Sequence, residues 1–476
     1  MRSVLIIIIA ASPLLTNAQG CKCLEDFYFI KNHTETNHPA FNKTIRGLKE
    51  TEYDVFVNQL VQNIKSDTDD KYCIIYLKKY IAYLKDHHSG VDVGEDIIVN
   101  EDSLPEVEAF YKSAAYRNTE IINIDSSLLR LLKKTDTMSI EGIYNHNKGI
   151  YTVAVIKNQT AFRDYIGIII ESKTRLWKKG QVKFELKQVN DSLMDVYLSL
   201  KNHRIDYEPA VIKKGILQLE NWKKQNDSIN NENAFIDDDL IRFVILDSTT
   251  TLLSIRSFNF DFKKRLDSAY KKIIPQIKKY NHLIIDVRNN RGGSYDCYQK
   301  LMPLLYTDPI IEEVVDLYNT PTNLKAYLVR DSSLVKSGIR KPLDSDEIRL
   351  MKKNKPFTFV QNGKSNTSKT IYKKNNGYPQ KIAVLYNREC ASSCEGFLLD
   401  ARFSKKTILV GENSGGYVGY GNVSKISTPC GNILSWTTIV FRDRYQYEFV
   451  GIPPYYFVPD DETNWVDYTR RLFLNK

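Results

Sequence analysis

The sequence predicts an α+β, multi-domain chain: a helical N-terminal subdomain, a small antiparallel β domain and a C-terminal α/β domain. Three observations carry this reading. Apolar residues recur at helical spacing early in the chain, as at Phe56, Leu60 and Ile64. Between about 139 and 222 the pattern turns to period two, the mark of half-buried strands. After 240, strand-like and helix-like stretches alternate, which is the α/β signature. The 476 residues, 42% hydrophobic and 26% charged, have a globular balance, and about 150 residues per domain gives roughly three domains. With 30 Tyr and 20 Phe, disorder is not expected as the main state.

Residues 1–18 read as a secretory signal: Arg2, an apolar run from Val4 to Leu15, then small residues before a cut after Ala18. The run is short for a bilayer span; a membrane anchor, or a lipid anchor at Cys21, is the alternative. The mature chain is expected to be exported, periplasmic or extracellular, without a stable membrane span. Seven cysteines leave at least one thiol unpaired, and Cys21-x-Cys23 is a candidate local bridge. Cys390 and Cys394 lack the second pair that a zinc site needs.

The helical subdomain covers 19–135, with amphipathic stretches near 56–64 and 72–84 and a possible further helix at 103–117. It includes Asp86-His87-His88-Ser89, closed by Gly90 as a stop signal. The β domain covers 136–225, with strands at 151–156, 165–170, 181–186 and 195–200, as a barrel or a sandwich. A polar, Asn-rich linker spans 223–236. The α/β domain covers 226–476. Its strands are expected at 252–258, 282–287, 382–386 and 407–411, its helices at 262–280, 295–306 and 392–403, and a hairpin at 424–443. A Lys-, Asn- and Ser-rich insertion is expected at about 350–379.

Four segments carry candidate chemistry. In Ile284-Ile-Asp-Val-Arg-Asn-Asn-Arg-Gly-Gly-Ser294 a strand enters a turn with paired glycines. Bare N–H groups there can hold a developing oxyanion, and a phosphate-loop pattern is absent. Cys390-Ala-Ser-Ser-Cys-Glu395 reads first as a capping box, Ser392-x-x-Glu395. The same placement sets a serine at the positive end of a helix dipole, with the Ser393 N–H as an oxyanion donor. Asp86-His87-His88-Ser89 offers a base near an acid, in a chain with seven histidines. Gly411-Glu-Asn-Ser-Gly-Gly-Tyr-Val-Gly-Tyr420 reads as a loop lying close to a ligand or another chain.

Taken in order, Arg-Asn-Asn-Arg-Gly-Gly, Ser-Ser-Cys-Glu and Val-Gly-Glu-Asn-Ser-Gly-Gly resemble the S41 peptidases over about residues 240–460. These are the tail-specific or C-terminal processing proteases, with the tricorn core and the interphotoreceptor retinoid-binding protein as relatives. The resemblance implies a ClpP/crotonase-like catalytic domain. The β region lacks the carboxylate loop of a PDZ module and looks like the β domain of secreted bacterial members without PDZ. The resemblance makes Ser392 the nucleophile and the N–H groups of Ser393 and of Gly292 or Gly293 the oxyanion donors. The processing-protease branch places a lysine where this chain has Tyr417, and a phenol of pKa about 10 is a poor base at neutral pH. The tricorn branch uses a histidine, matched by His88, oriented by a glutamate, matched by Glu448 before Gly451; Pro459-Asp460 is displaced by extra residues. Lys405 and Lys406 lie elsewhere and read as a solvated cluster.

The resemblance thus implies a serine endopeptidase with a Ser392–His88–Glu448 set, no cofactor or metal, and a protein or peptide substrate. The alternative on the same fold is a non-catalytic protein that binds a peptide or an apolar ligand. Lys plus Arg exceed Asp plus Glu by 67 − 57 = 10. The excess is spread thinly, with no basic run interleaved with aromatics, so nucleic acid is not an expected partner.

Overall fold

The computed structural model describes all residues except 1–21, 67–71, 95–98, 137, 161–162, 214–215, 220, 226–239, 312–313, 337–345, 363–368, 373–376, 460 and 475–476. The signal segment, most of the expected linker and Asp460 lie outside the described residues. Among those described, no helix is long and apolar enough to cross a membrane.

The leader consists of helices Cys23–Asn37, Glu50–Ser66 and Cys73–Ala82, followed by the strand Gly90–Asp92. Tyr53, Val57, Leu60 and Ile64 are the buried face of the second helix. Phe27, Leu77 and Tyr80 are fully buried beside them. Cys23 is tied to Cys73 across this packing, not to Cys21 as a local bridge; adjacent helices bring distant cysteines together where sequence proximity does not. Cys430 is also disulfide-bonded, and Cys297 is a buried free thiol. The expected helix at 103–117 is two pieces, Leu104–Tyr111 and Ala114–Arg117.

The β domain is one antiparallel sheet of eight strands. Its edge strands, Ile216–Gln218 and Trp222–Lys224, are neighbours in sequence yet sit at opposite ends of the strand order. The short connection between them spans at most roughly 14 Å, so the sheet must roll up toward a barrel. Its interior holds Phe184, Leu186, Val153 and Trp222.

The C-terminal domain is built on a six-stranded sheet. The order is Ile241–Ile245, Thr250–Ile255, His282–Asp286, Lys381–Tyr386, Thr407–Gly411 and Tyr456–Phe457, with every pair after the first parallel. Leu283, Ile284, Ile285, Val384 and Leu409 are fully buried, as parallel strands covered on both faces require. Helices Lys263–Ile277 and Ser393–Ala401 stand where they are expected. The expected helix at 295–306 is instead a 3₁₀ turn, Tyr295–Cys297, and a short helix, Met302–Leu305. Pro303 sits in the first turn of that helix, where proline lacks the N–H a continuing helix would need. Within 350–379, Thr358–Asn362 pairs with Val315–Asn319. In the 424–443 region Ser424–Ser427 pairs with Ile433–Trp436, while Ile439–Phe441 joins Val315–Asn319.

Candidate active site

Strands His282–Asp286 and Lys381–Tyr386 are parallel neighbours, with Asp286 opposite Leu385. The glycine-pair loop and the serine loop therefore leave the same edge of the sheet. The carboxyl ends of parallel strands are where open α/β sheets place their ligands. Asn290 ties the two loops. Its carbonyl accepts the Ala391 N–H at 3.1 Å, its side-chain oxygen takes the Gly292 N–H at 2.9 Å, and its amide reaches the Ile255 carbonyl at 3.2 Å. A Cβ on Gly292 would stand 2.4 Å from the Ala391 carbonyl and 3.0 Å from the Ser392 Cβ, so only glycine permits this approach.

Ser392 caps helix Ser393–Ala401 with φ 56° and ψ −118°. That region suits glycine and costs another residue of order 1–3 kcal/mol. The Ser392 N–H donates to Glu395 Oε2 at 2.8 Å. Its Oγ lies 3.0 Å from Nε2 of His88, 304 residues upstream. Among the described residues neither the Ser393 N–H nor the Gly293 N–H has a protein acceptor. Cys390 and Cys394 are joined by a disulfide that brackets Ser392, and both are fully buried.

His88 sits in the loop between helix Cys73–Ala82 and strand Gly90–Asp92, whose pairing with Ile433–Trp436 brings the leader onto the C-terminal domain. The loop is anchored by Asp86, whose side chain is out of solvent. Its carboxylate accepts from the His88 N–H at 2.9 Å, the Ser89 hydroxyl at 2.7 Å and the Thr437 hydroxyl at 2.6 Å. His38 Nε2 lies 3.2 Å from it. The Ala40 N–H donates to His38 Nδ1, which leaves the ring proton on Nε2, facing Ser89 and Asp86. Burial acts to raise the Asp86 carboxyl, but hydrogen bonds from His38 and Thr437 help hold it below the ordinary range. Burial lowers the His88 imidazole, with Asp86 pulling the other way. His88 Nδ1 is buried and has no hydrogen-bond partner among the described residues.

Glu448 is brought to the site but does not touch the His88 ring. Its Oε1 accepts the His87 N–H at 2.9 Å, and its Oε2 accepts the Val418 and Gly419 N–H groups at 2.9 and 2.6 Å. Burial pushes its carboxyl up to about 7 against those donors. Tyr417, at the position of the family lysine, packs perpendicular to the His88 ring with centroids 5.7 Å apart. Lys405 pairs with Asp308 and Lys406 donates to the Pro379 carbonyl.

The sequence reading missed what holds these groups. Glu395, read as a cap, is fully buried. It also accepts the Ser414 hydroxyl at 2.6 Å and the Gly416 and Tyr417 N–H groups at 2.8 and 2.9 Å. One carboxylate thus joins the backbone of Ser392 to the glycine-rich loop, and the capping box was the only signal for it. No pattern pointed to His38 or Thr437.

Residues 249–456 match the model of peptidase family S41. No curated protein matches the chain. Among solved structures, mature CPAF is 13% identical with a TM-score of 0.50, covering 96% of each chain; at that identity the likeness is one of fold. A putative peptidase from Parabacteroides merdae ATCC 43184 is 12% identical with a TM-score of 0.43, covering 96% of this chain and 98% of that one. The photosystem II D1 C-terminal processing protease is 11% identical with a TM-score of 0.36, covering 93% and 94%. The fold class, the order of the motifs and the family match agree: over residues 249–456 this chain carries a domain of peptidase family S41.

Proposed function

We propose that the protein is an exported serine endopeptidase in which Ser392 is the nucleophile and His88 the general base. The observation that carries the reading is the 3.0 Å contact between Ser392 Oγ and His88 Nε2 at the start of a helix. A serine is activated by a base within hydrogen-bond reach. His88 takes the hydroxyl proton as Oγ attacks the peptide carbonyl, and returns it to the leaving amine. Burial favours the neutral imidazole that a base must be. The tetrahedral oxyanion lies against the N–H groups of Ser393 and Gly293, since the Gly292 N–H is engaged by Asn290. One such donor is worth about 2.7–4 kcal/mol of barrier. Glu448 holds the backbone of His87 and so the base's loop; Asp86 supplies the buried negative charge that favours the imidazolium as it forms. The mechanism calls on no metal or cofactor, and the substrate is a protein or peptide. Export is supported by the signal-like residues 1–18 and by disulfides, which persist in oxidising compartments.

The test is Ser392→Ala in the full chain. Cleavage of an unfolded protein and fluorophosphonate labelling are both expected to disappear while the circular dichroism spectrum is kept. Labelling at the wild-type level in that variant removes Ser392 as nucleophile.

A further inference from the structure

Next to the proposed base stands an apolar surface that the fold does not explain. Phe449 and Val450 follow Glu448 directly and are 49% and 62% exposed. The Phe449 ring lies on His87, with centroids 3.6 Å apart, and Tyr417 lies against the same imidazole at 4.5 Å. Tyr417 continues to His88. The rings of Phe449, His87 and Tyr417 thus form a shelf that ends at the group bonded to Ser392.

The shelf is held in place at a cost. Phe449 has φ 65°, the left-handed region where a bulky residue is a genuine outlier. The conformation is imposed by its N–H, which donates to the Gly416 carbonyl at 3.0 Å, and by the Gly451 N–H, which donates to the Tyr447 carbonyl at 2.9 Å. A Cβ on Gly416 would stand 2.9 Å from the backbone of Phe449, so the two loops meet this closely only with glycine there. A glycine at 449 would adopt the same turn without strain. The phenyl ring gains little burial in return, since it remains half-exposed.

The carboxylate and one ring nitrogen beside the shelf are already engaged. The Glu448 oxygens take three backbone N–H groups, and His87 Nδ1 faces the Gly416 carbonyl at 3.1 Å. The most exposed part of the shelf is the Phe449 ring and the Val450 methyls, which match an apolar side chain.

We infer that Phe449, Val450, Tyr417 and His87 form the subsite that receives a large apolar side chain of the substrate beside the scissile bond. The inference rests on the serine-peptidase reading and adds the class of peptide that the site cleaves. The occupant follows from continuity: a peptide whose carbonyl reaches Ser392 must pass the shelf that ends at His88.

The experiment reads kcat/KM for matched peptides carrying Leu or Phe, against Ser, at the residues flanking the cut. The full chain is compared with Phe449→Ala, Phe449→Leu and Val450→Ser. An apolar pocket is expected to give the wild type a preference of about tenfold at one flanking position. Phe449→Ala should bring the ratio close to one, mainly through KM, and Phe449→Leu should restore most of it. Val450→Ser, at a more exposed position, should lower the ratio as well, which keeps the test decisive if Phe449→Ala does not fold. A wild-type ratio near one, or a ratio unmoved by Phe449→Ala and Val450→Ser, overturns the inference. So does an unmoved ratio accompanied by a change of oligomeric state between the wild type and Phe449→Ala, which would assign the shelf to a second copy of the chain. Failure of the underlying reading looks different: cleavage and labelling would survive Ser392→Ala.

Discussion

Replacing Glu395 by glutamine takes one oxygen from a fully buried carboxylate that has four donors around it. Oε1 accepts the Ser414 hydroxyl and the Gly416 N–H; Oε2 accepts the N–H groups of Ser392 and Tyr417. If the amide nitrogen takes the Oε2 place, two backbone N–H groups lose their acceptor. If it takes the Oε1 place, the Ser414 hydroxyl can turn to accept and only the Gly416 N–H is orphaned. The second arrangement is the cheaper. One buried donor without an acceptor costs about 1–3 kcal/mol, and that is the expected loss of stability in urea unfolding. The damage should also reach the base, because the Gly416 carbonyl accepts the Phe449 N–H and faces His87 Nδ1. A displacement of about 1 Å can cost 10²-fold in rate, so kcat/KM with a peptide substrate should fall at least about tenfold. Unchanged unfolding together with unchanged kcat/KM would refute the reasoning. It would mean that the carboxyl, which burial raises, is already protonated and that an amide reproduces it.

Further outcomes follow from the buried groups. Because burial lowers His88, the acid limb of the kcat/KM profile should lie below the ordinary histidine value. Asp86→Asn removes a charge that raises His88, so that limb should move lower still while kcat falls; an upward shift would contradict the assignment. Lys183 is buried, donates to the Ser199 carbonyl at 2.5 Å and lies over Trp177 at 4.0 Å, and burial lowers it to about 7. Between about pH 7 and 10 the unfolded chain therefore holds a proton that the folded one lacks. Stability should rise with pH across that window by up to about 5 kcal/mol, and Lys183→Met should flatten the rise in urea titrations. The Cys23–Cys73 tie closes 50 residues and the Cys390–Cys394 tie only 4. On a chain-entropy account these are worth about 4 and about 2 kcal/mol. Removing the first pair should cost more in unfolding free energy, while removing the second should cost more in kcat/KM; the reverse order would show that the short ring does not hold Ser392.

The broad architecture was legible because each part has its own periodicity. Residues 53–64 bury one helical stripe, 151–199 alternate as strands, and the runs at 283–285 and 382–386 are apolar throughout, as doubly covered parallel strands must be. Ser392 and His88 were each legible as candidates in their own segments, but their pairing only as a resemblance, since the contact spans 304 residues and no local pattern encodes it. Glu395 was half legible: the capping box is local, whereas its bonds to Ser414, Gly416 and Tyr417 depend on where the next strand returns the chain. The network of His38, Asp86 and Thr437 was not legible, because it forms between the leader and a strand edge some 350 residues later. The Cys390–Cys394 ring was passed over because the spacing was weighed only as a metal motif.

Ser392 and Phe449 both hold positive φ without being glycine. Each carries of order 1–3 kcal/mol of conformational strain, which the rest of the fold absorbs. A screen for heat-resistant variants would be drawn to these two positions, since glycine at either relieves the strain directly. At Ser392 the gain would remove the proposed nucleophile, and at Phe449 it would remove the shelf. Durability and activity therefore compete at the same two residues, and improvement without loss has to come from elsewhere, such as the rolled sheet of residues 142–224.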